Sequence, residues 1–229
     1  MFRMSRSSER TSAAAAVKPG IRADKSAARR EAILQAALDE FCERGFAATR
    51  VEDVARRANV AKGTIYLRFK DKDALFQELI RTRLGQHVLR LETARSLPGQ
   101  SMRGTVEAIL GPIIEQIETA RMGDLLRLMI AESRHFPQLA EFYYHEVLQR
   151  AMSAIRRLAL HAAEDGELAG DEIARFPQII GAPVVLAFVW TTLFQRFAPL
   201  DARALLSAYL DLIFGREPPP QPRDRTLKR

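Results

Sequence analysis

The sequence predicts an all-α protein, because apolar residues recur at helical spacing along most of the chain. One example is the set Val51, Val54, Ala55 and Ala58, whose positions i, i+3, i+4 and i+7 share one face of a helix. Alternating apolar and polar residues, the pattern of a half-buried strand, do not extend over a useful length. The predicted architecture is an N-terminal three-helix domain followed by a C-terminal helical domain.

The first predicted helix runs from about residue 26 to residue 44. Ile33, Ala37 and Phe41 lie four residues apart and form its apolar face. Gly45 is expected to end the helix, because glycine adopts the backbone conformations with positive φ that terminate helices.

A tight turn is predicted between the second and third helices. Asn59, at the end of the second helix, is after glycine the residue best able to adopt the left-handed conformation. The third helix begins after Ala61 and carries Ile65 and Phe69 on one face. Asp71 is a good N-cap for a long fourth helix. Two short helices that cross at a tight turn form a helix-turn-helix, whose second helix fits the major groove of DNA.

Helical patterns continue in the C-terminal part of the chain. Pro98–Gly99 marks a loop before them, and Gly111–Pro112 is expected to kink the first of them. The predicted helices are residues 102–119, 125–134, 139–164, 173–197 and 202–214. The predicted segments are a disordered basic arm at 1–27, a helix-turn-helix domain at 28–75, a helical domain at 76–215 and a disordered tail at 216–229.

Positive charge is concentrated at the N-terminal end. Residues 1–72 contain 16 Lys and Arg against 9 Asp and Glu, whereas residues 73–229 contain 19 of each kind. The whole net charge of +7 therefore lies in the arm and the helix-turn-helix, as expected for a phosphate-binding module joined to a neutral one. The basic residues between 22 and 30 either reach DNA phosphates or a minor groove, or belong to a tail that binds nothing.

Composition and motifs exclude several other classes of protein. No apolar run reaches the about 20 residues that a membrane span needs, and the N-terminus lacks the hydrophobic region of a signal peptide. The single cysteine, Cys42, fits a reducing cytoplasm and is interpreted as inert packing, with a redox sensor as the alternative. The histidines show no metal-ligand spacing and no nucleotide-binding or hydrolase motif occurs, so no metal, cofactor or enzymatic activity is expected.

The spacing of the helix-turn-helix residues resembles the signature of the TetR family of bacterial transcription regulators. The residues that carry the resemblance are Gly45-Phe46, Thr49, Val54-Ala55, Ala58, Val60, Lys62-Gly63-Thr64-Ile65-Tyr66, Phe69-Lys70, Lys72 and Leu75. Asn59 stands where the family usually has Gly. Ala61 stands where the family often has Ser or Thr, so the third helix lacks a capping oxygen. Residues 127–148 resemble the AefR-like C-terminal halves of this family.

The third helix, predicted over residues 62–69, is the candidate recognition helix. Its base-facing candidates, which point away from its apolar face, are Lys62, Thr64, Leu67 and Arg68. Gly63 lets the backbone approach the DNA closely. Lys70 lies beside the start of the fourth helix, where a cation is unfavourable unless it binds a phosphate. The resemblance implies phosphate contacts for Thr49, Tyr66 and Lys72; a half-buried packing role is the alternative for Tyr66.

A TetR-like C-terminal half implies a small-molecule pocket and pairing of the last two helices with a second subunit. The pocket candidates are apolar and aromatic side chains at helical spacing, with ordinary core packing as the alternative: Ile113, Ile117, Leu126, Met129, Ile130, Phe142, Tyr143 and Trp190. Residues 184–194 are apolar nearly all round and must be buried on more than one face. The interface candidates, with burial inside one chain as the alternative, are Val184, Phe188, Thr191, Leu205, Tyr209 and Ile213.

Together these patterns predict a ligand-responsive, DNA-binding transcription regulator. A cytoplasmic homodimer would place two recognition helices in successive major grooves of a palindromic operator on double-stranded DNA. A small hydrophobic effector would release it, so the regulator would act as a repressor. The alternative is a dimeric DNA-binding or architectural protein that responds to no ligand.

Overall fold

The computed structural model describes residues 19–94, 101–118 and 121–216, and all regular structure in these ranges is helical. The helices are α1 (Pro19–Ala48), α2 (Val51–Arg57), α3 (Lys62–Tyr66), α4 (Lys72–Thr93), α5 (Met102–Glu118), α6 (Arg121–Glu132), α7 (Pro137–Tyr143), α8 (Gln149–Glu164), α9 (Glu172–Arg175), α10 (Gln178–Leu193) and α11 (Ala202–Phe214). A π-helical turn, Tyr144–Leu148, joins α7 to α8. Within the described ranges, no helix is long and apolar enough to cross a membrane. The all-α prediction is confirmed.

The ends of the N-terminal helices lie where the local sequence predicts them. Gly45 interrupts α1 with φ 78° and ψ 161°, and Asn59 adopts a left-handed backbone with φ 53°. The side chain of Asp71 accepts a hydrogen bond of 2.8 Å from the backbone N–H of Ala74 and caps α4. These residues confirm that capping chemistry fixes the spacing of α1 to α4.

The first helix begins earlier than predicted. Residues 19–27, which were expected to belong to the disordered arm, form its first turns. Pro19 takes the first helical position, where its fixed φ is favourable, and the Ala, Arg and Lys residues that follow are strong helix formers. Polar composition therefore misled the prediction here. Residues 1–18, the loop at 98–99 and the tail at 217–229 lie outside the described residues.

Four other elements differ from their predicted bounds, and one is α6, which begins at Arg121 instead of residue 125 and ends at Glu132 instead of residue 134. The recognition helix ends at Tyr66, so residues 67–69 follow it as a turn. The predicted helix 139–164 contains the π-helical turn, and the predicted helix 173–197 divides into α9 and α10. This division falls at Phe176, because the residue before a proline disfavours helical backbone.

Helix α4 contributes to two apolar cores. One core holds α1 to α4 with parts of α6 and α7, and it includes Leu84 and Val88 of α4. The other holds α5 and α8 to α11 and includes Leu91 of α4. Because α4 is continuous from one core to the other, the predicted domain boundary at 75/76 stays a proposal.

The end of α6 packs against the kink in α1. Oε1 of Glu132 accepts a hydrogen bond of 3.0 Å from the backbone N–H of Phe46, and the ring centroid of Phe136 lies 5.0 Å from that of Phe46. The Lys72 ammonium, in the first turn of α4, lies 4.7 Å from the Phe46 ring centroid. Contacts around one residue, Phe46, thus join α1, α4 and the C-terminal helices.

The uncapped start of α3 gives a stability prediction. Ala61 is the N-cap of α3 and provides no side-chain hydrogen bond. Ala61→Thr is expected to raise the free energy of unfolding by about 1 kcal/mol, because a hydroxyl would accept a bond from a free N–H of the first turn. Urea denaturation of the full chain measures this. Ala61→Val has the same shape without the oxygen, and an equal gain in both variants would contradict capping as the cause.

Candidate nucleic-acid interface and internal cavity

Helix α3 presents one buried and one exposed face. Ile65 is fully buried and Phe69 nearly so, and both anchor the helix to the core. Leu67 is 87% exposed although it is apolar. Gly63 is exposed, and an added Cβ would meet nothing within 4 Å. The exposed apolar side chain of Leu67 matches the chemistry of a thymine methyl group.

Polar and aromatic side chains form the rest of the surface around α3. The Lys62 ammonium pairs with Glu52, which raises the pKa of Lys62, and lies 5.4 Å from the Tyr66 ring centroid. Tyr66 is 45% exposed, a value that leaves its phosphate and packing roles both open. Thr64 is half-buried, and Lys70 is exposed beside the end of α3.

Arg68 extends from the turn after α3 towards the first helix. Its Nη2 donates a hydrogen bond of 2.7 Å to the Ser26 hydroxyl. Ser26 lies in α1, at the predicted start of that helix. The arginine is exposed and keeps further donors for a guanine edge.

Two predicted phosphate-binding side chains have structural roles here. Thr49 is 3% exposed, and its hydroxyl lies 3.0 Å from the Glu40 carbonyl oxygen and 2.8 Å from that of Gly45. The Lys72 ammonium donates to the Phe46 and Ala47 carbonyl oxygens at 2.7 and 2.9 Å. Both side chains therefore close the carboxyl end of α1, where such groups stabilise unpaired carbonyls. The expected phosphate contact of Thr49 is corrected, because its side chain is buried.

An apolar cavity of about 330 Å³ lies among α4, α5, α8, α10 and the π-helical turn. Three of the predicted pocket residues line it, namely Ile113, Leu126 and Tyr143. The π-helical turn supplies Val147 and Leu148 to the wall. Such turns are frequent at functional sites, because the extra residue in the turn redirects side chains.

The other five predicted pocket residues lie elsewhere. Ile117 and Met129 are buried in the apolar core and do not line this cavity. Ile130 is 67% exposed, the Phe142 ring lies under the Arg81 guanidinium, and the Trp190 indole donates to the Ala198 carbonyl oxygen. Helical periodicity places all five on apolar positions, but it does not distinguish core, surface and cavity.

Sequence reasoning missed the one histidine that lines the cavity. His87 is 4% exposed, and neither ring nitrogen has a hydrogen-bond partner among the described residues. Leu84, Val88 and Leu91 surround it on the same side of α4. A single polar residue in an apolar helical stripe is the signal that would have found it.

The last two helices carry an exposed apolar surface that differs from the predicted interface. Phe188 is buried, Val184 lines the cavity, and the Tyr209 hydroxyl donates to the Ile179 carbonyl oxygen. Thr191, whose hydroxyl donates to carbonyls of its own helix, is half-buried, as are Leu205 and Ile213. The exposed apolar side chains of α10 and α11, defined here as the C-terminal apolar face, are Val185, Leu186, Val189, Leu193 and Leu212.

Cys42 is an exposed cysteine whose environment disfavours the thiolate form. Its sulfur lies 3.6 Å from the Asp124 carbonyl oxygen. Burial and the Asp124 carboxylate raise the pKa of the Cys42 thiol to about 11. Because the thiolate is the reactive form, this environment disfavours oxidation.

Comparison with known proteins gives the same family for both halves of the chain. Residues 33–79 match the family described as "Bacterial regulatory proteins, tetR family". Residues 98–209 match "Tetracyclin repressor-like, C-terminal domain". The finer likeness of residues 127–148 to AefR-like halves stays a prediction.

Individual relatives and a solved structure agree with these matches. The chain is 28% identical to the uncharacterized HTH-type transcriptional regulator YhgD of Bacillus subtilis over 77% of this chain and 90% of that protein. It is 34% identical to the HTH-type transcriptional repressor KstR2 of Mycolicibacterium smegmatis over 49% of this chain and 60% of that protein. The structure of the SmeT–triclosan complex has the same fold, with a TM-score of 0.66 and 23% identity over 85% of this chain and 99% of that chain.

Proposed function

We propose that this chain, which belongs to the TetR family of bacterial regulators, is a homodimeric repressor released from a palindromic operator by a small hydrophobic effector. Members of this family are DNA-binding transcription factors and not enzymes. It would act on double-stranded DNA in the cytoplasm. The observation that carries the proposal is the exposed surface of α3, where Leu67 is 87% exposed beside Arg68. An exposed leucine beside an arginine gains little from water, whereas a major groove offers both methyl groups and acceptors.

Dimerisation is supported by the C-terminal apolar face. Leu193 is 57% exposed and Leu212 is 84% exposed in the single chain. Exposed apolar side chains on two helices that pack against each other are typical of a protein–protein interface. A two-fold axis through this face would also give the dimer two copies of the α3 surface, one for each half-site of a palindromic operator.

Effector response is supported by the position of the cavity relative to α4 and α6. Helix α4 lines the cavity near its carboxyl end and holds the carboxyl end of α1 through Lys72 at its start. Helix α6 places Leu126 in the cavity wall and bonds Phe46 through Glu132. A ligand that fits only one arrangement of these helices would shift the population of DNA-binding geometries, because it has different affinities for the two states.

Arg68→Ala is expected to weaken binding to the preferred operator by about fivefold to 150-fold and to relax the preference at one base pair. The reason is the loss of a bidentate contact to a base edge. Site selection from random DNA, followed by titration of the selected duplex, measures both effects. Arg56→Ala is the matched control, since Arg56 is 72% exposed in α2 and pairs with Asp53.

Unchanged sequence selection by Arg68→Ala would contradict base reading by this residue. Equal losses on all sequences would assign Arg68 to phosphate binding instead. Full-strength binding that no compound releases would favour a ligand-independent regulator.

A further inference from the structure

His87 is a polar group without a partner in an apolar environment. The ring is 4% exposed, and both Nδ1 and Nε2 lack hydrogen bonds within the described part of the chain. Leaving a buried polar group unpaired is unfavourable for folding, and a leucine or valine would fill the position without that cost. The ring lines the cavity, but its two nitrogens are buried within the wall, so a bound ligand pairs with them only once the ring turns towards the cavity.

The charge around His87 decides which ligand groups suit it. None of the described residues that line the cavity is Lys, Arg, Asp or Glu. Burial, and next the guanidinium of Arg90, lower the pKa of His87, so the ring is neutral at pH 7. Burial raises the pKa of Tyr143, the other titratable group in the wall, so its phenol is also neutral. His87 therefore offers one imidazole N–H donor and one nitrogen acceptor without a fixed charge, beside the neutral Tyr143 hydroxyl and the Gln178 amide of the same wall.

These observations define the effector more closely than apolar lining alone. We propose that the effector is an apolar molecule with one uncharged hydroxyl group, an alcohol or a phenol, which pairs with His87. A hydroxyl both donates and accepts, as the neutral imidazole does. A carboxylate would enter a site with no cation among its described lining residues and would lose its hydration without gaining an ion pair. The cavity of about 330 Å³ suits a small effector.

This inference rests on the proposed function, but its test measures ligand binding without DNA. Calorimetric titration of the full chain at pH 7.5 compares naphthalene, 2-naphthol and 2-naphthoate, which share one apolar body. The wild type is expected to bind 2-naphthol about threefold to tenfold more tightly than naphthalene, which is the net effect of one hydrogen bond. 2-Naphthoate is expected to bind most weakly.

His87→Leu separates the hydrogen bond from the apolar contacts. This variant is expected to bind naphthalene and 2-naphthol equally, and its unfolding temperature should be unchanged or higher because an unpaired buried group is removed. His161→Leu is the control, since His161 is 61% exposed on α8 and lies outside the cavity wall. That control should keep the preference for 2-naphthol.

Three results would overturn the inference: equal binding of naphthalene and 2-naphthol by the wild type, an intact preference in His87→Leu, or no binding of any of the three compounds. Sequence-specific DNA binding distinguishes these failures from failure of the proposed function. If the chain prefers 2-naphthol through His87 but selects no DNA sequence, the proposed regulator function is contradicted, whereas the proposed ligand site at His87 is supported.

Discussion

Leu193→Glu is expected to convert the proposed dimer into monomers and to lower operator affinity by at least about 100-fold. The side chain is 57% exposed in the C-terminal apolar face, and a charge buried there without a partner is strongly unfavourable. Loss of the dimer also removes the second half-site from each binding event, so the effect on DNA is larger than that of any single contact. Sedimentation velocity and operator titration measure the two effects.

Two variants test whether the effect belongs to this face. Leu212→Glu, on α11, should have the same consequences, because Leu212 is 84% exposed in the same face. Leu160→Glu is the control, since Leu160 is 49% exposed on α8, and it should leave both assembly and DNA binding unchanged. A Leu193→Glu chain that still sediments as a dimer would show that the subunits pair through another surface.

Gly45→Ala is expected to lower the free energy of unfolding by about 3 kcal/mol. The combination of φ 78° and ψ 161° is essentially restricted to glycine, and a side chain there is strained by about 1–3 kcal/mol. The added Cβ would also lie 2.6 Å from Oε1 of Glu132, which would displace the carboxylate from the Phe46 N–H. Loss of that buried hydrogen bond adds about 1 kcal/mol. Urea denaturation gives the value directly.

Gly215→Ala is a matched control for the contact with Glu132. Gly215 has nearly the same backbone conformation, with φ 80° and ψ 167°, but an added Cβ would meet nothing within 4 Å. Its cost is therefore expected to be backbone strain alone, about 1–3 kcal/mol. If the two variants lose equal stability, the close approach of Glu132 to the kink in α1 contributes nothing.

The parts of the structure set by local chemistry were predictable from the sequence. Asp71 caps α4 through a bond to a residue three positions away, and Asn59 needs only its own backbone to end α2. The helical spacing of Ile65 and Phe69 correctly indicates their burial, which leaves Leu67 outside. Each of these interactions joins residues that are only a few positions apart, so a short stretch of the sequence is enough to predict it.

The parts set by tertiary contacts were not predictable in the same way. Thr49 and Lys72 have structural roles only because the end of α1 folds against them. The hydrogen bond from the Phe46 N–H to Glu132 joins two residues that lie far apart in the sequence. Helix α10 is apolar on all sides, so periodicity did not distinguish Phe188, which is buried, from Leu193, which is exposed. Which positions line a cavity is decided by packing between helices, and His87 became visible only there.

Footprinting on DNA from the region upstream of the gene, repeated with hydrophobic alcohols and phenols, tests the central claim most directly. The account predicts a protected palindrome whose half-sites lie about one helical turn, 34–36 Å, or a multiple of it apart. It also predicts that one compound abolishes the protection while the protein stays folded. Protection without two-fold symmetry, or no sequence-specific binding even after selection from random DNA at low salt, would contradict a ligand-responsive operator-binding dimer.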